Sequence, residues 1–247
     1  MPKFFVKYSD VIGQNIKITG EDASHIKKVL RLRSGDSINI SDDQGNDYHA
    51  RIAKIEADYV LTQIESSSAN ISEPSIEVTL FQGLPKSDKM DLIVQKNVEL
   101  GIAKIVPVIT EHTVVKLDSK KDAENKIKRW QRISMEAAKQ SNRGRIPEVS
   151  YPVSFEEAIS LSANCHLRLI PYEKEKQMGL RKCLHNICGV KNAAVFIGPE
   201  GGFSEKEIQT ALESGVIPVT LGPRILRTET AGLMVQSILM FALGEIG

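Results

Sequence analysis

The 247 residues are enough for one large domain, or for a medium and a small one. Hydrophobic residues make up 41%, enough to bury a core, and the net charge of +1 requires any nucleic-acid surface to be local. The three cysteines, Cys165, Cys183 and Cys188, form no CxxC pair and are odd in number, which argues against a disulfide framework or a zinc site and fits a reducing, cytoplasmic setting.

Met1 to Lys7 lacks the apolar centre of a signal peptide, and no run of membrane-spanning length is free of charge, so no membrane partner is expected. Residues 1–70 read as a small β-rich domain. Phe4–Lys7, Asn15–Thr19, Ser37–Ser41, Tyr48–Ile55 and Tyr59–Ile64 have strand character, with a turn-rich hairpin loop at Asp42–Asp47. One helix interrupts them, predicted over Glu21–Leu32 from the spacing of Ile26, Val29 and Leu30. It and its flank carry His25, Lys27, Lys28, Arg31 and Arg33, which suit either a solvated face or contact with a polyanion backbone. Ser66–Pro74 is small and polar and reads as a linker.

Beyond it, in residues 71–247, strands alternate with helices, the pattern of a mainly parallel sheet. Strands are predicted at Ile76–Phe81, Lys104–Ile109, Leu167–Ile170, Ala193–Ile197 and Val216–Leu221. Helices are predicted from Ser87 to Leu100, from Lys121 to Ser141, and from a capping box at Ser204 and Glu207 to Glu213. An apolar helix covers Ala231–Leu243, with Gly244–Gly247 after it. Between Lys116 and Arg145 ten basic residues face four acidic ones, including Lys116 and Asp118, a local net of +6 that marks a candidate phosphate-contact face. Trp130 shares a spacing of three and four with Ile127, Ile133 and Ala137 and reads as core.

Two glycine-proline loops stand at strand ends: Ile197–Ser204 and Leu221–Ala231. Neither is GxGxxG or a P-loop, and the chain has no GxSxG or HExxH. His112, His166 and His185 are isolated and read as structural or surface residues. Glycine lets backbone approach a ligand, while Ile197, Leu221, Ile225 and Leu226 would wall an apolar pocket able to take an adenine. Each loop alone also suits an ordinary turn; the pair argues for a site. Arg224, Arg227, Glu229 and Glu200 place charge beside it, although Glu229 also suits a helix N-terminus capped by Thr228.

GPEGGFS at 198–204, LGPRILRTETA at 221–231, LPKSDKMDLIVQKNVELG at 84–101 and HIKKVLRLRSGD at 25–36 together resemble the ribosomal RNA small-subunit methyltransferase E family across nearly the whole chain. The resemblance implies an α/β fold with a SPOUT-type parallel sheet and C-terminal trefoil knot (71–247), preceded by a PUA-like β-barrel (1–70). It also implies a cytoplasmic homodimer that methylates N3 of a uridine in small-subunit ribosomal RNA from S-adenosyl-L-methionine. The substrate would be an assembled or nearly assembled subunit. Leu169, Ile197, Gly198, Gly201, Gly202, Leu221, Gly222, Ile225 and Leu226 would bind the cofactor. Arg227, Glu229 and Glu200 would serve catalysis, with the proton acceptor open between the two glutamates, and His25, Arg31, Arg33 and Arg143 would contact RNA. Lys139 departs from the family's run, where an acid is common. Two alternatives stay open: a SPOUT enzyme acting on another RNA base, and a non-catalytic RNA-binding assembly factor.

Overall fold

The structure is a computed structural model that describes residues 1–115, 119–185 and 187–246. Lys116, Asp118 and Gly247, named above, lie outside the described residues. The chain divides into two compact units, Met1–Glu73 with Ala138–Ile146, and Pro74–Ala137 with Pro147–Gly247.

The first unit is built on six strands: β1 (Lys3–Phe5), β2 (Val11–Ile12), β3 (Asn15–Thr19), β4 (Ser37–Ser41), β5 (Asn46–Ile55) and β6 (Tyr59–Ala69). They pair in the order β1-β4-β5-β6-β3-β2, antiparallel except β1 with β4. Period-two alternation sets the faces: in β3, Ile16 and Ile18 are buried while Asn15, Lys17 and Thr19 are exposed. Ile38, Ile40, Ala50, Ile52 and Val60 join them in the core.

Two features of this unit differ from the sequence expectation. The expected single helix is a short α1 (Gly20–Ser24) followed by one π-type turn, His25–Val29, closed by Leu30 N–H donating to the His25 carbonyl. The wider turn rotates later positions off the inward face, so Ile26 is buried but Val29 is 67% exposed. Arg31 then takes a left-handed φ of 53°. The serine stretch also does not begin a linker, because β6 runs to Ala69 and Ser66–Ala69 pair with Asn46–His49. Backbone pairing with β5 satisfies the strand even though its side chains face water.

The hairpin loop falls where turn residues place it and is held by Asp42. Its buried carboxylate accepts from the Gln44 and Asn46 amides at 2.9 and 3.1 Å, from Asn46 Nδ2 at 2.7 Å and from the Tyr48 hydroxyl at 3.1 Å. Burial pulls its pKa up, but these donors outweigh burial and hold the carboxyl below its ordinary value. Burial and the same contact push the Tyr48 phenol up to about 12.

The second unit contains β7 (Glu77–Gly83), α2 (Lys89–Glu99), β8 (Lys104–Ile109), α3 (Lys120–Gln140, its last residues in the first unit), β9 (Glu148–Val149), β10 (Val153–Ser154) and α4 (Phe155–Leu161). β11 (Leu167–Pro171), α5 (Leu180–Cys183), β12 (Asn192–Ile197), α6 (Glu205–Glu213), β13 (Ile217–Val219) and α7 (Thr228–Ala242) complete it. The strands run β10-β8-β7-β12-β11-β13, with β9 on β8, and every pairing is parallel. A strand covered on both faces reads as a continuous apolar run, which is why β12 is buried from Ala193 to Ile197. Beneath it Phe81 and Phe196 stack at 4.7 Å, with Phe155 and Phe203 against them. Trp130 is buried, as its spacing requires.

The box at Ser204 and Glu207 forms as expected. Ser87 does not cap α2; it sits at φ 57° and Asp88 holds the N-cap position. Arg227, not Thr228, is the N-cap of α7, and Thr228 is its first helical residue. β13 stops at Val219 because the next amide, of Thr220, bonds the Met178 carbonyl and leaves the sheet.

Candidate functional site

The carboxyl ends of β11, β12 and β13 open on a cavity of about 1040 Å³. Both glycine loops line it, including Ile197, Gly198, Gly201, Gly202, Leu221, Gly222, Ile225 and Leu226. Leu169 does not line it: it lies buried within β11, and Pro171, two residues on, reaches the cavity. Ile197 is buried and Leu221 and Leu226 are half-buried, whereas Ile225 is 89% exposed and leaves that wall open.

The glycines are required by close backbone. A Cβ on Gly198 would lie 3.0 Å from the Gly202 backbone across the turn, which the Gly202 amide closes on the Pro199 carbonyl at 2.9 Å. Gly202 and Gly222 have φ of +68° and +98°, a region most side chains avoid. The result is a cradle of accessible backbone beside apolar side chains.

Charged side chains line the cavity from several segments. Glu200 and Arg227 line the cavity, and so does Lys89 from the first turn of α2. Lys89 Nζ lies 2.7 Å from Glu200 Oε1 and 3.8 Å from Glu229 Oε2. Burial raises the Glu200 pKa, but the Lys89 bond and the backbone amides of Glu200 and Lys86 outweigh it and hold the carboxyl below its ordinary value. Glu229 stands in the first turn of α7, off the cavity lining, and its buried Oε2 accepts no hydrogen bond among the described residues. The exposed Arg227 guanidinium makes no ion pair among the described residues.

Five contributors escape motif reasoning. Lys89 sits within a helical run whose charge looks like a solvated face. Tyr172, Glu173 and Lys176 follow β11 and line the cavity; the rule that sites lie at the carboxyl ends of parallel strands would have found them. Gln82, in β7, is buried and bonded to Thr228, a contact between residues far apart in sequence.

In the first unit, His25, Arg31 and Arg33 are all exposed on the segment that follows α1. Arg143 is a correction. It is only 4% exposed, and its Nε and Nη2 bond Glu73 at 3.0 and 2.7 Å, so its guanidinium is spent inside the unit instead of offered to RNA. Lys139 pairs with Asp22 at 2.9 Å in that unit. On α3, Lys120, Lys121, Lys128 and Arg132 are exposed, while Arg129 bonds Asp91.

A family model described as an RNA methyltransferase domain matches residues 72–240, and one described as an RNA methyltransferase PUA domain matches residues 18–65. A protein of Bacillus subtilis named ribosomal RNA small subunit methyltransferase E is 35% identical over 228 residues, covering 91% of this chain and 89% of that one. The chain belongs to the ribosomal RNA small subunit methyltransferase E family. A relative of the same name from Aquifex aeolicus is 31% identical, covering 95% of this chain and 98% of its own. The crystal structure of the Neisseria gonorrhoeae protein of that name, bound to S-adenosyl methionine, is 33% identical and superposes with a TM-score of 0.85 over 98% of both chains. The expected fold class, a SPOUT-type parallel α/β sheet behind a PUA-like unit, is the one observed.

Proposed function

We propose that the chain transfers a methyl group from S-adenosylmethionine to N3 of one uridine in small-subunit (16S) ribosomal RNA, the substrate being an assembled or nearly assembled subunit. The observation that carries this reading is the cavity itself, where two glycine loops present backbone beside Ile197, Leu221 and Leu226. Accessible amides and carbonyls suit the edge of an adenine, and aliphatic side chains suit its faces. When bound, S-adenosylmethionine supplies a methyl group carried on a positively charged sulfur.

Uridine N3 carries a proton and becomes nucleophilic only as that proton leaves, and a base in folded RNA must be turned out to reach a pocket. Arg227 stabilises negative charge growing on the uracil carbonyls. Glu200, engaged by Lys89 and held below its ordinary pKa, is a weak proton acceptor at neutral pH. Glu229, whose Oε2 lies 3.8 Å from the same Lys89 and accepts no hydrogen bond among the described residues, is the other candidate acceptor. His25, Arg31 and Arg33 contact RNA backbone from a PUA-like domain at residues 1–70, and residues 71–247 form the methyltransferase domain, knotted at its C-terminal end. The protein acts in the cytoplasm as a homodimer, in which Phe241 of α7, 69% exposed, packs against a second copy.

Calorimetry with S-adenosylmethionine, followed by nucleoside mass mapping of 16S RNA from cells with and without the protein, tests this. Saturable binding with loss of one N3-methyluridine on deletion supports the proposal; a binding-silent protein or a different missing nucleoside overturns it.

A further inference from the structure

One hydroxyl between the two loops has a fixed direction. Gln82 is fully buried in β7, and its Nε2 donates to the Gly83 carbonyl and to Thr228 Oγ1, each at 2.9 Å. Because the Thr228 oxygen receives that amide, its own proton points to the Gly198 carbonyl, 2.6 Å away. The directed pair of bonds joins β7, the start of the first loop and the start of α7. Beside it, a Cβ on Gly83 would fall 2.5 Å from Pro199 Cδ and 2.6 Å from Pro199 N. Gly198 and Pro199 are thus held from one side by a hydrogen bond and from the other by backbone contact.

Thr228 is 6% exposed and stands between Arg227 and Glu229. A hydroxyl in the first turn of a helix can serve the helix by accepting from one of its free amides. This one donates instead, to another loop, and α7 has no side-chain cap. Gln82 contributes little to stability by itself, since its buried Oε1 accepts no bond among the described residues.

We infer that Thr228, oriented by Gln82, is a positioning residue: it sets the first glycine loop against the arginine-bearing start of α7, so that the cavity is shaped before its ligand arrives. The inference rests on the proposed cofactor. A preformed site avoids the ordering cost of binding, so loosening the link appears as lost affinity.

The test compares Thr228→Val, Thr228→Ser and Gln82→Met in the full chain by calorimetry with S-adenosylmethionine and by thermal unfolding. Thr228→Val is expected to weaken binding about tenfold, the worth of one well-made hydrogen bond. Thr228→Ser restores it to within about twofold, because the hydroxyl returns. Gln82→Met, which fills the same volume without an unsatisfied amide, weakens binding about fivefold while the unfolding temperature holds or rises. Equal affinity of wild type, Thr228→Val and Gln82→Met overturns the inference, and so does a Thr228→Ser that binds no better than Thr228→Val. A wild type that binds no S-adenosylmethionine overturns the cofactor proposal, and this inference with it.

Discussion

Arg143→Leu separates a structural arginine from an RNA-binding one. In the wild type the guanidinium makes two bonds to Glu73, and Glu73 Oε1 also accepts the Gly144 and Arg145 amides at 2.9 and 3.2 Å. Breaking a buried pair costs about 3–5 kcal/mol; because Glu73 would keep its two amides, the loss is expected at about 2–4 kcal/mol. With a urea slope of about 2 kcal/mol/M, that is a drop of about 1–2 M in midpoint. Circular dichroism follows the whole chain, while fluorescence of Trp130, the only tryptophan, reports the second unit. The transition of the first unit should move and the fluorescence transition should stay. Burial raises the Glu73 pKa, but the Arg143 and amide bonds outweigh it and hold the carboxyl below its ordinary 4.5. A depressed carboxylate stabilises fully above its unfolded value and loses that contribution as pH falls through its folded one. The gap between wild type and variant should therefore be complete at neutral pH and close below about 4.5. A variant within about 1 kcal/mol of wild type that binds RNA more weakly at low temperature would refute the reasoning.

Arg227→Ala should reduce methyl transfer about 10²–10³-fold, with the S-adenosylmethionine dissociation constant within about twofold; near-normal single-turnover rates would remove Arg227 from charge stabilisation. Gly83→Ala drives a methyl group into Pro199 and should abolish cofactor binding in calorimetry before it unfolds the chain. An intact dissociation constant would show that the loop can move aside. Arg31→Glu should weaken RNA binding and flatten its dependence on salt by about two charges while leaving cofactor binding alone; an unchanged slope of affinity against salt concentration would count against contact at this segment.

The elements that sequence reads best here are those whose physics is local. Period-two alternation in Asn15–Thr19, the apolar run Ala193–Ile197 and the box at Ser204 and Glu207 each specify themselves, and each forms where expected. Either loop alone would suit an ordinary turn, and they were legible as a site only because two of them stand at the carboxyl ends of strands. What was not legible depends on partners far away in sequence. Ser66–Ala69 is a strand only because β5 lies beside it. Arg143 looks like a surface cation until Glu73 closes on it, and Lys89 becomes part of the cavity only when α2 faces Glu200. The wide turn at His25–Val29 has no sequence signal in a 3.6-residue pattern, and it turned an expected core position, Val29, outward.

The pairing of β7 with β12 has a consequence for how the molecule comes to exist. These neighbours at the middle of the sheet, Leu80 opposite Val195, are separated by more than a hundred residues of chain. Such non-local contacts must repay a large loop-closure entropy and form slowly. During synthesis from the N-terminus, β7 and β8 can pair early, but the central ladder waits for β12, and the cavity waits longer still for Thr220–Thr228. The first unit also stays incomplete until Ala138–Ile146 has been made. Ligand-binding competence is therefore a late event in biogenesis, and a nascent chain stopped before residue 190 carries an unpaired β7 edge, open to association with other chains.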